Sequence, residues 1–357
     1  MVIALAAVLL AISHRTPSAT SGGSASVAAT PRPSPTRAHR TTTRLKASGA
    51  ATRSRVAAGA LSLAVEPDAG LRPVYALLRS AHRSVDVEIY ELEDDRAAAI
   101  LAADAQRGVR VRVLLDSHYV GRYNQPAYVY LRAHGVAVRW APAQFTVTHE
   151  KAIVVDRRQA AVMTMNLTAR YYSSTRDFVV FDAAPADVAA IETTFADDWT
   201  GGGLPAASPA GMVWSPGAQD TLVALISSAR RGLLVENEEM ADPAVTSALQ
   251  AAAGRGVRVE VVMTRESEWA SAFDALARAG VTVRTYAYSA PLYIHAKAIV
   301  VDPGSAHARV FVGSQNFSSA SLLYNRELGL ITARPAIVGK IAAVIRADAA
   351  GATPWHP

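Results

Sequence analysis

The 357 residues contain no cysteine. Disulfides, a thiolate nucleophile and a cysteine-ligated zinc site are thereby excluded, and a chain of this length buries enough apolar surface to fold without such staples. Lysine is also scarce: Lys46, Lys151, Lys297 and Lys340 are all there are. A charge of one sign is missing once the N-terminal stretch is set aside. The formal net charge is +6, but Arg15, Arg32, Arg37, Arg40, Arg44, Lys46, Arg53 and Arg55 lie in the first 65 residues, which hold no acid. The remainder carries 28 basic against 30 acidic side chains, a net of −2. A protein that tracks a nucleic-acid backbone needs a basic groove, so no nucleic acid is expected as partner. Long hydrophobic runs are absent too. The longest, residues 2–12, falls short of the roughly 20 apolar residues a spanning helix requires. It has the character of a secretory-signal core, although no Lys or Arg precedes it. The Ser-, Thr-, Pro- and Arg-rich stretch that follows cannot bury a core. The expectation is an exported chain, secreted or periplasmic, with a leader and disordered basic linker over residues 1–59. Residues 2–12 would be its point of membrane association.

What is present is an α/β alternation that runs twice. From Leu61 onward, short β-branched strands alternate with Ala- and Leu-rich helices. A strand over 84–92 leads to a helix over 95–106 capped by Asp94; Gly108 stops it and a strand over 109–116 follows. The run Arg107-Gly-Val-Arg-Val returns as Arg255-Gly-Val-Arg-Val, 148 positions later, and the order of elements around it repeats. The Gly- and Pro-rich stretch 201–209 is the link between the copies. The predicted fold class is α/β: two tandem pseudo-symmetric α/β/α units with mixed sheets, over residues 60–200 and 211–350, with the active site at their interface. A duplicated chain needs no second copy to complete a two-part site, so a monomer is expected.

Each copy carries the same polar pattern on a strand. His149-Glu-Lys151-Ala-Ile-Val-Val-Asp156 and His295-Ala-Lys297-Ala-Ile-Val-Val-Asp302 both fit H-x-K-x4-D. The composition predicts only roughly 0.005 chance matches. On strands predicted over 145–156 and 292–302, the His and Lys of each copy leave one face, while Ala296, Ala298 and Val300 turn into packing. An imidazole beside an ammonium makes a poor core and a good oxyanion site. Asp156 and Asp302 have the opposite parity, which suits support of loops rather than substrate contact. Thr164 and Asn166 follow the first copy, Ser314 and Asn316 the second. Eleven residues beyond each Asn stands a carboxylate, Asp177 or Glu327. The intervals His149 to Asp177 and His295 to Glu327 mark these two as the groups that orient the imidazoles. The other histidines lack metal-ligand spacing, so no metal and no other cofactor is expected. Glu88, Glu91 and the run Glu236-Asn237-Glu238-Glu239 stand at matching strand ends, where they could line a cleft. His118, Tyr119, Tyr123, Tyr128 and Tyr130 could wall a headgroup.

These motifs resemble the phospholipase D superfamily, whose signature is two H-x-K-x4-D motifs, each followed by G-[ST]-x-N. The second copy matches in full through Gly313, Ser314 and Asn316; the first has Met163 in place of the glycine. The resemblance covers residues 60–350. It implies His149, Lys151, Asp156, His295, Lys297 and Asp302 as the catalytic set. Thr164, Asn166, Ser314 and Asn316 would hold or support the phosphate. It also implies a covalent phosphohistidine, with His149 the nucleophile and His295 the acid, though the residues themselves leave that choice open. The expected function is a metal-independent phospholipase D, a hydrolase of lipid degradation that cleaves the headgroup ester of phospholipids in transient contact with a membrane surface. A cardiolipin synthase-like phosphatidyltransferase is the alternative, and a nuclease the third.

Overall fold

The computed structural model describes residues 61–202, 209–264 and 267–357. The leader-like run, the basic stretch to residue 60 and residues 203–208 of the predicted link lie outside them. The first half runs β1 (Leu61–Glu66), α1 (Arg72–Arg79), β2 (Ser84–Ile89), α2 (Asp95–Gln106), β3 (Arg110–Leu115), α3 (Gly121–Ala133), β4 (Ala137–Trp140), β5 (Lys151–Val155), β6 (Gln159–Met163), β7 (Thr175–Asp182) and α4 (Pro185–Thr200). The second runs β8 (Met212–Ser215), α5 (Ala218–Ser227), β9 (Gly232–Glu236), α6 (Pro243–Gly254), β10 (Arg258–Thr264), α7 (Ala270–Arg278), β11 (Thr282–Tyr286), β12 (Tyr293–Ile294), β13 (Ala298–Val301), β14 (Arg309–Gly313), α8 (Ser319–Leu323), β15 (Glu327–Thr332), α9 (Pro335–Gly351) and β16 (Thr353–Pro354). The described residues of both halves belong to one compact unit. Among the described residues no helix is long and apolar enough to cross a membrane.

Each half is built on a mixed sheet, in the orders β1-β7-β6-β5-β2-β3-β4 and β16-β11-β10-β9-β13-β14-β15-β8. The parallel members, β2-β3-β4 and β9-β10-β11, come from right-sized β–α–β crossovers. Asp94 and Asp242 start the equivalent helices α2 and α6, each side chain accepting from two backbone N–H groups of the first turn. Both faces of the sheets are covered, which is why the strands read as unbroken apolar runs. Strand parity divides the core in three. In β5, Ile153 and Val155 face α1–α3 in the first half's outer core, while Ala152 and Val154 face a central core. That central core joins the inner faces of both sheets with α4 and α9, and Ala296, Ala298 and Val300 are part of it. The outer core of the second half is formed by α5–α7 on the other face of its sheet.

Two buried ion pairs cross between the halves. Arg176 of β7 makes a bidentate contact with Asp348 of α9, at 2.6 and 3.0 Å. Arg326, just before β15, reaches Asp198 of α4 at 2.7 Å. Glu236 and Glu88 lie within these two charged clusters, and burial pushes both carboxyls well above the usual range. Neither lines a cleft; they sit beneath the sheet ends, with exposures of 0 and 1%.

Candidate active site

The strands predicted over 145–156 and 292–302 are shorter than the spacing suggested. β5 begins at Lys151 and β13 at Ala298, so His149 and His295 precede the long pairing strands instead of sitting within them. The reason is a change of partner. β12 leaves its own sheet and pairs in parallel with β7 of the first half, Ile294 opposite Arg176. Reciprocally, Thr148 bridges in parallel to Arg326 of the second half. The His149 N–H donates to the Arg326 carbonyl at 2.9 Å, and the His295 N–H to the Arg176 carbonyl at 3.3 Å.

Carrying each register one residue further sets His149 beside Glu327 and His295 beside Asp177. His149 Nδ1 lies 2.8 Å from Glu327 Oε2, and His295 Nδ1 lies 2.8 Å from Asp177 Oδ1. The two carboxylates do hold the imidazoles, but crosswise between halves; the pairing suggested by sequence interval is corrected by the strand exchange. Asp177 is fixed by the Thr164 hydroxyl, which donates to it at 2.5 Å. Glu327 is fixed by Ser321, whose hydroxyl donates at 2.6 Å, and by the Asn325 amide at 3.3 Å. Both carboxyls stay below their usual range despite burial, because the imidazole beside each favours the ionised form.

The lysines complete the centre. Lys151 donates to the His149 carbonyl at 2.7 Å, and its ammonium lies 5.1 Å from the centre of the Tyr90 ring. Lys297 donates to the His295 carbonyl and to Glu238 Oε2, the latter at 3.1 Å. Both are fully buried. Burial and the neighbouring Lys297 charge pull the Lys151 ammonium down to about 7. Burial likewise lowers His149, and both lysines add to that effect while Glu327 opposes it. These mutual influences place His149 and both lysines in one electrostatic neighbourhood, which one half could not form alone. Among the described residues no group of three or more His, Asp or Glu side chains could hold a metal ion.

Asp156 and Asp302 stand apart from this centre, which corrects their place in the catalytic set. Asp156 follows β5 at the end opposite Lys151, about 16 Å along the strand at 3.3 Å per residue. Its carboxylate accepts from the backbone N–H groups of His82, Arg83 and Ser84. Asp302 does the same for Arg230, Arg231 and Gly232. Both have positive φ, 53° and 47°, in a region that aspartate tolerates better than most residues. They clamp the start of β2 and β9. Thr164 and Ser314 are also buried supports: Ser314 Oγ donates to the Leu328 carbonyl and accepts from its N–H, while Thr164 Oγ1 accepts from the Phe178 N–H. Asn316 donates to Glu239 Oε1 at 3.0 Å. The Oδ1 atoms of Asn166 and Asn316 are buried without a hydrogen-bond partner.

Met163 replaces the motif glycine for a packing reason. A Cβ on Gly313 would come within 2.4 Å of Gly329 Cα, its partner on β15, and 2.6 Å of the Gln315 side chain. The first half has Met163 opposite Val179 and Met165 in place of Gln315, so that close approach does not arise.

Of the weaker candidates, Glu238 is in the centre, whereas Glu91 pairs with Arg170 at 3.2 Å. Tyr123 and Tyr130 line a groove of about 830 Å³ with Arg122, Arg170 and Pro126. Tyr128 instead stacks on Trp140 at 4.3 Å. Sequence reasoning passed over Tyr90, whose ring meets His149 edge-on at 4.7 Å. It also passed over Tyr293 and over Asp116, whose carboxylate accepts from Thr148 N–H at 3.1 Å and so steadies the His149 segment. The 148-residue offset that aligns Asp94 with Asp242 also aligns Tyr90 with Glu238, and was the available signal.

The family model described as "Cardiolipin synthase, PLD-like domain" matches residues 74–199 and again 222–349. The chain belongs to the phospholipase D superfamily. Within that superfamily it is similar to cardiolipin synthase A of Pseudomonas entomophila, 27% identical over 335 residues that cover 81% of this chain and 68% of the relative. Cardiolipin synthase A of Pseudomonas aeruginosa is 26% identical over 343 residues, 83% of this chain and 68% of the relative. Among solved structures, the phosphatidylserine synthase of Haemophilus influenzae superposes with a TM-score of 0.66 at 11% identity, over 84% of this chain and 88% of the other. Polyphosphate kinase from Porphyromonas gingivalis gives 0.64 at 16% identity, over 80% of this chain but 46% of the other. At such identities the structures attest the superfamily fold alone. The names of the curated relatives overturn the hydrolase and lipid-degradation reading: they are synthases, which points to phospholipid biosynthesis.

Proposed function

We propose that this protein is a phosphatidyltransferase that moves a phosphatidyl group from a phospholipid to an alcohol through a histidine-bound intermediate. The observation that carries the proposal is the crossed pair of imidazoles. Each is anchored through Nδ1 by a buried carboxylate, which leaves Nε2 as the reacting atom. In the first step His149 Nε2 attacks phosphorus. The bond from phosphorus to the departing alkoxide breaks, and that oxygen takes the proton from His295 Nε2. In the second step the acceptor hydroxyl gives its proton to His295 Nε2, its oxygen attacks phosphorus, and the bond to His149 breaks. Lys151 and Lys297 offset the charge on the phosphoryl oxygens, with the side-chain amides of Asn166 and Asn316 as further contacts.

The assignment of His149 as nucleophile is supported by its lowered pKa, since burial keeps the imidazole neutral with a lone pair available. His295 has a carboxylate facing each nitrogen, Asp177 at Nδ1 and Glu238 at Nε2. An imidazole with a proton on both nitrogens satisfies both, as an acid requires. The site is complete within one chain, and the donor brings it into contact with a membrane surface. The test uses phosphatidyl-p-nitrophenol, whose leaving group departs without an acid. Intact-protein mass spectrometry after an alkaline quench should show a phosphatidyl adduct on the wild type and on His295→Ala, and none on His149→Ala. An adduct on His149→Ala but not on His295→Ala would reverse the roles. Phosphatidic acid as sole product in the presence of excess alcohol would refute transfer.

A further inference from the structure

Each of the two site histidines hangs between the halves on a pair of consecutive backbone N–H groups. His149 N–H donates across to the Arg326 carbonyl, while Thr148 N–H donates at 3.1 Å to Asp116 Oδ1 of its own half. His295 N–H donates across to the Arg176 carbonyl, while Ile294 N–H donates at 2.8 Å to Thr264 Oγ1 of its own half. Asp116 directly follows β3 and Thr264 ends β10, at the 148-residue offset that relates the copies. Both anchors are buried. Their chemistry differs. Thr264 holds its segment on a single hydroxyl oxygen. Asp116 also takes Tyr119 N–H and Val120 N–H on Oδ2, at 3.0 and 3.3 Å, and so ties the turn that opens α3 to the segment before His149. The Asp116 backbone is held in turn, because the Asn124 amide donates to its carbonyl at 2.9 Å and to the Tyr90 carbonyl at 2.8 Å.

We infer that Asp116 and Thr264 are positioning residues that set how far each histidine reaches into the site: Asp116 for His149, Thr264 for His295. The assignment of each to a reaction step rests on the reading of His149 as nucleophile and His295 as acid. The bridge at Thr148 and the pairing of β12 draw each segment toward the opposite half. The side-chain acceptor behind the segment fixes where that movement stops. Glu327 and Asp177 orient the rings through Nδ1, whereas the anchors place the backbone that carries them. Depth matters to rate, because reacting atoms must lie about 3–3.5 Å apart and a displacement of about 1 Å can cost about 100-fold. Removing an anchor strands a buried N–H, and the segment relieves it only by moving.

The test is stopped flow with phosphatidyl-p-nitrophenol in excess alcohol, which reads the two steps separately. The burst rate constant, and turnover divided by burst amplitude, do not depend on how much of a preparation is folded. Asp116→Ala should slow the burst of p-nitrophenol about 100-fold. Asp116→Asn keeps one acceptor oxygen for Thr148 N–H, so it should regain about tenfold of that loss, and it carries the test if the alanine variant does not fold. Thr264→Val should keep the burst and slow the turnover that follows it about tenfold. A general structural role would move both phases together. Both phases slowed alike in the Asp116 and Thr264 variants, or neither phase slowed in any of them, would overturn the positioning role. A burst slowed by Thr264→Val and kept by the Asp116 variants would support the two anchors and reverse the roles of the two histidines.

Discussion

Replacing the two orienting carboxylates separates the crossed arrangement from the one suggested by sequence interval. Asp177 is 1% exposed and receives both His295 Nδ1 and the Thr164 hydroxyl on one oxygen. In Asp177→Asn the shape is kept and the charge is lost. A hydrogen bond to a charged group contributes about 1.5–3 kcal/mol, which corresponds to roughly 10- to 150-fold in rate. If the amide N–H₂ turns toward Nδ1 and imposes the wrong tautomer, the loss grows toward the ~10⁴ seen for a comparable His–carboxylate couple in serine proteases. The loss should fall on the step that His295 performs. In stopped flow with phosphatidyl-p-nitrophenol, Asp177→Asn should keep its burst of p-nitrophenol, which reports attack by His149, and lose steady-state turnover. Glu327→Gln should slow the burst itself, since Glu327 holds His149. Loss of the burst in Asp177→Asn with its retention in Glu327→Gln would refute the crossed assignment, whatever the melting temperatures.

Two further outcomes follow from charges in the interior. Lys151, lowered to about 7, sheds its proton as pH rises through that value, and His149, lowered from 6.5, takes one up only on the acid side. The pH profile of kcat/KM should therefore fall below 6.5 through His149 and begin to fall from about 7 through Lys151, and Lys151→Arg, if active, should remove the alkaline limb because arginine stays charged. Arg176→Met should destabilise the fold by about 3–5 kcal/mol in urea titrations, because it strands the buried Asp348 carboxylate; Arg176→Met with Asp348→Leu should recover most of that loss, and no recovery would show that the pair is not the source.

The fold class and the repeat were legible because local chemistry specifies them: Gly108 and Gly256 after equivalent helices, capping aspartates, and β-branched strands covered on both faces. The parity of Asp156 and Asp302 was also legible, since alternation along a strand is a local rule, and it outweighed their membership of the motif. What the sequence could not display was which strand partners which. The segments before Lys151 and Lys297 leave their own sheets, and that exchange alone turns Asp177 from a partner of His149 into a partner of His295. Long-range pairing leaves no period in the chain. The same holds for Glu236 and Glu88, which read as cleft residues until Arg176 and Arg326 are seen to meet the far helices beneath them. Hydrolase against synthase was beyond the motifs altogether, because water and alcohol use the same imidazoles.

The place of Tyr90 opposite Glu238 bears on how such a protein can diversify. In a homodimer of single halves, a two-fold axis obliges both copies to present the same side chain at every equivalent position. A carboxylate that pairs with Lys297 in one half would then also appear beside His149 in the other, where it would oppose an incoming anion. Covalent linkage of the halves lifts that obligation. Once each half is encoded separately, one can keep an aromatic ring against its histidine while the other acquires an acid, and a symmetric pair of imidazoles becomes a directional one without moving either.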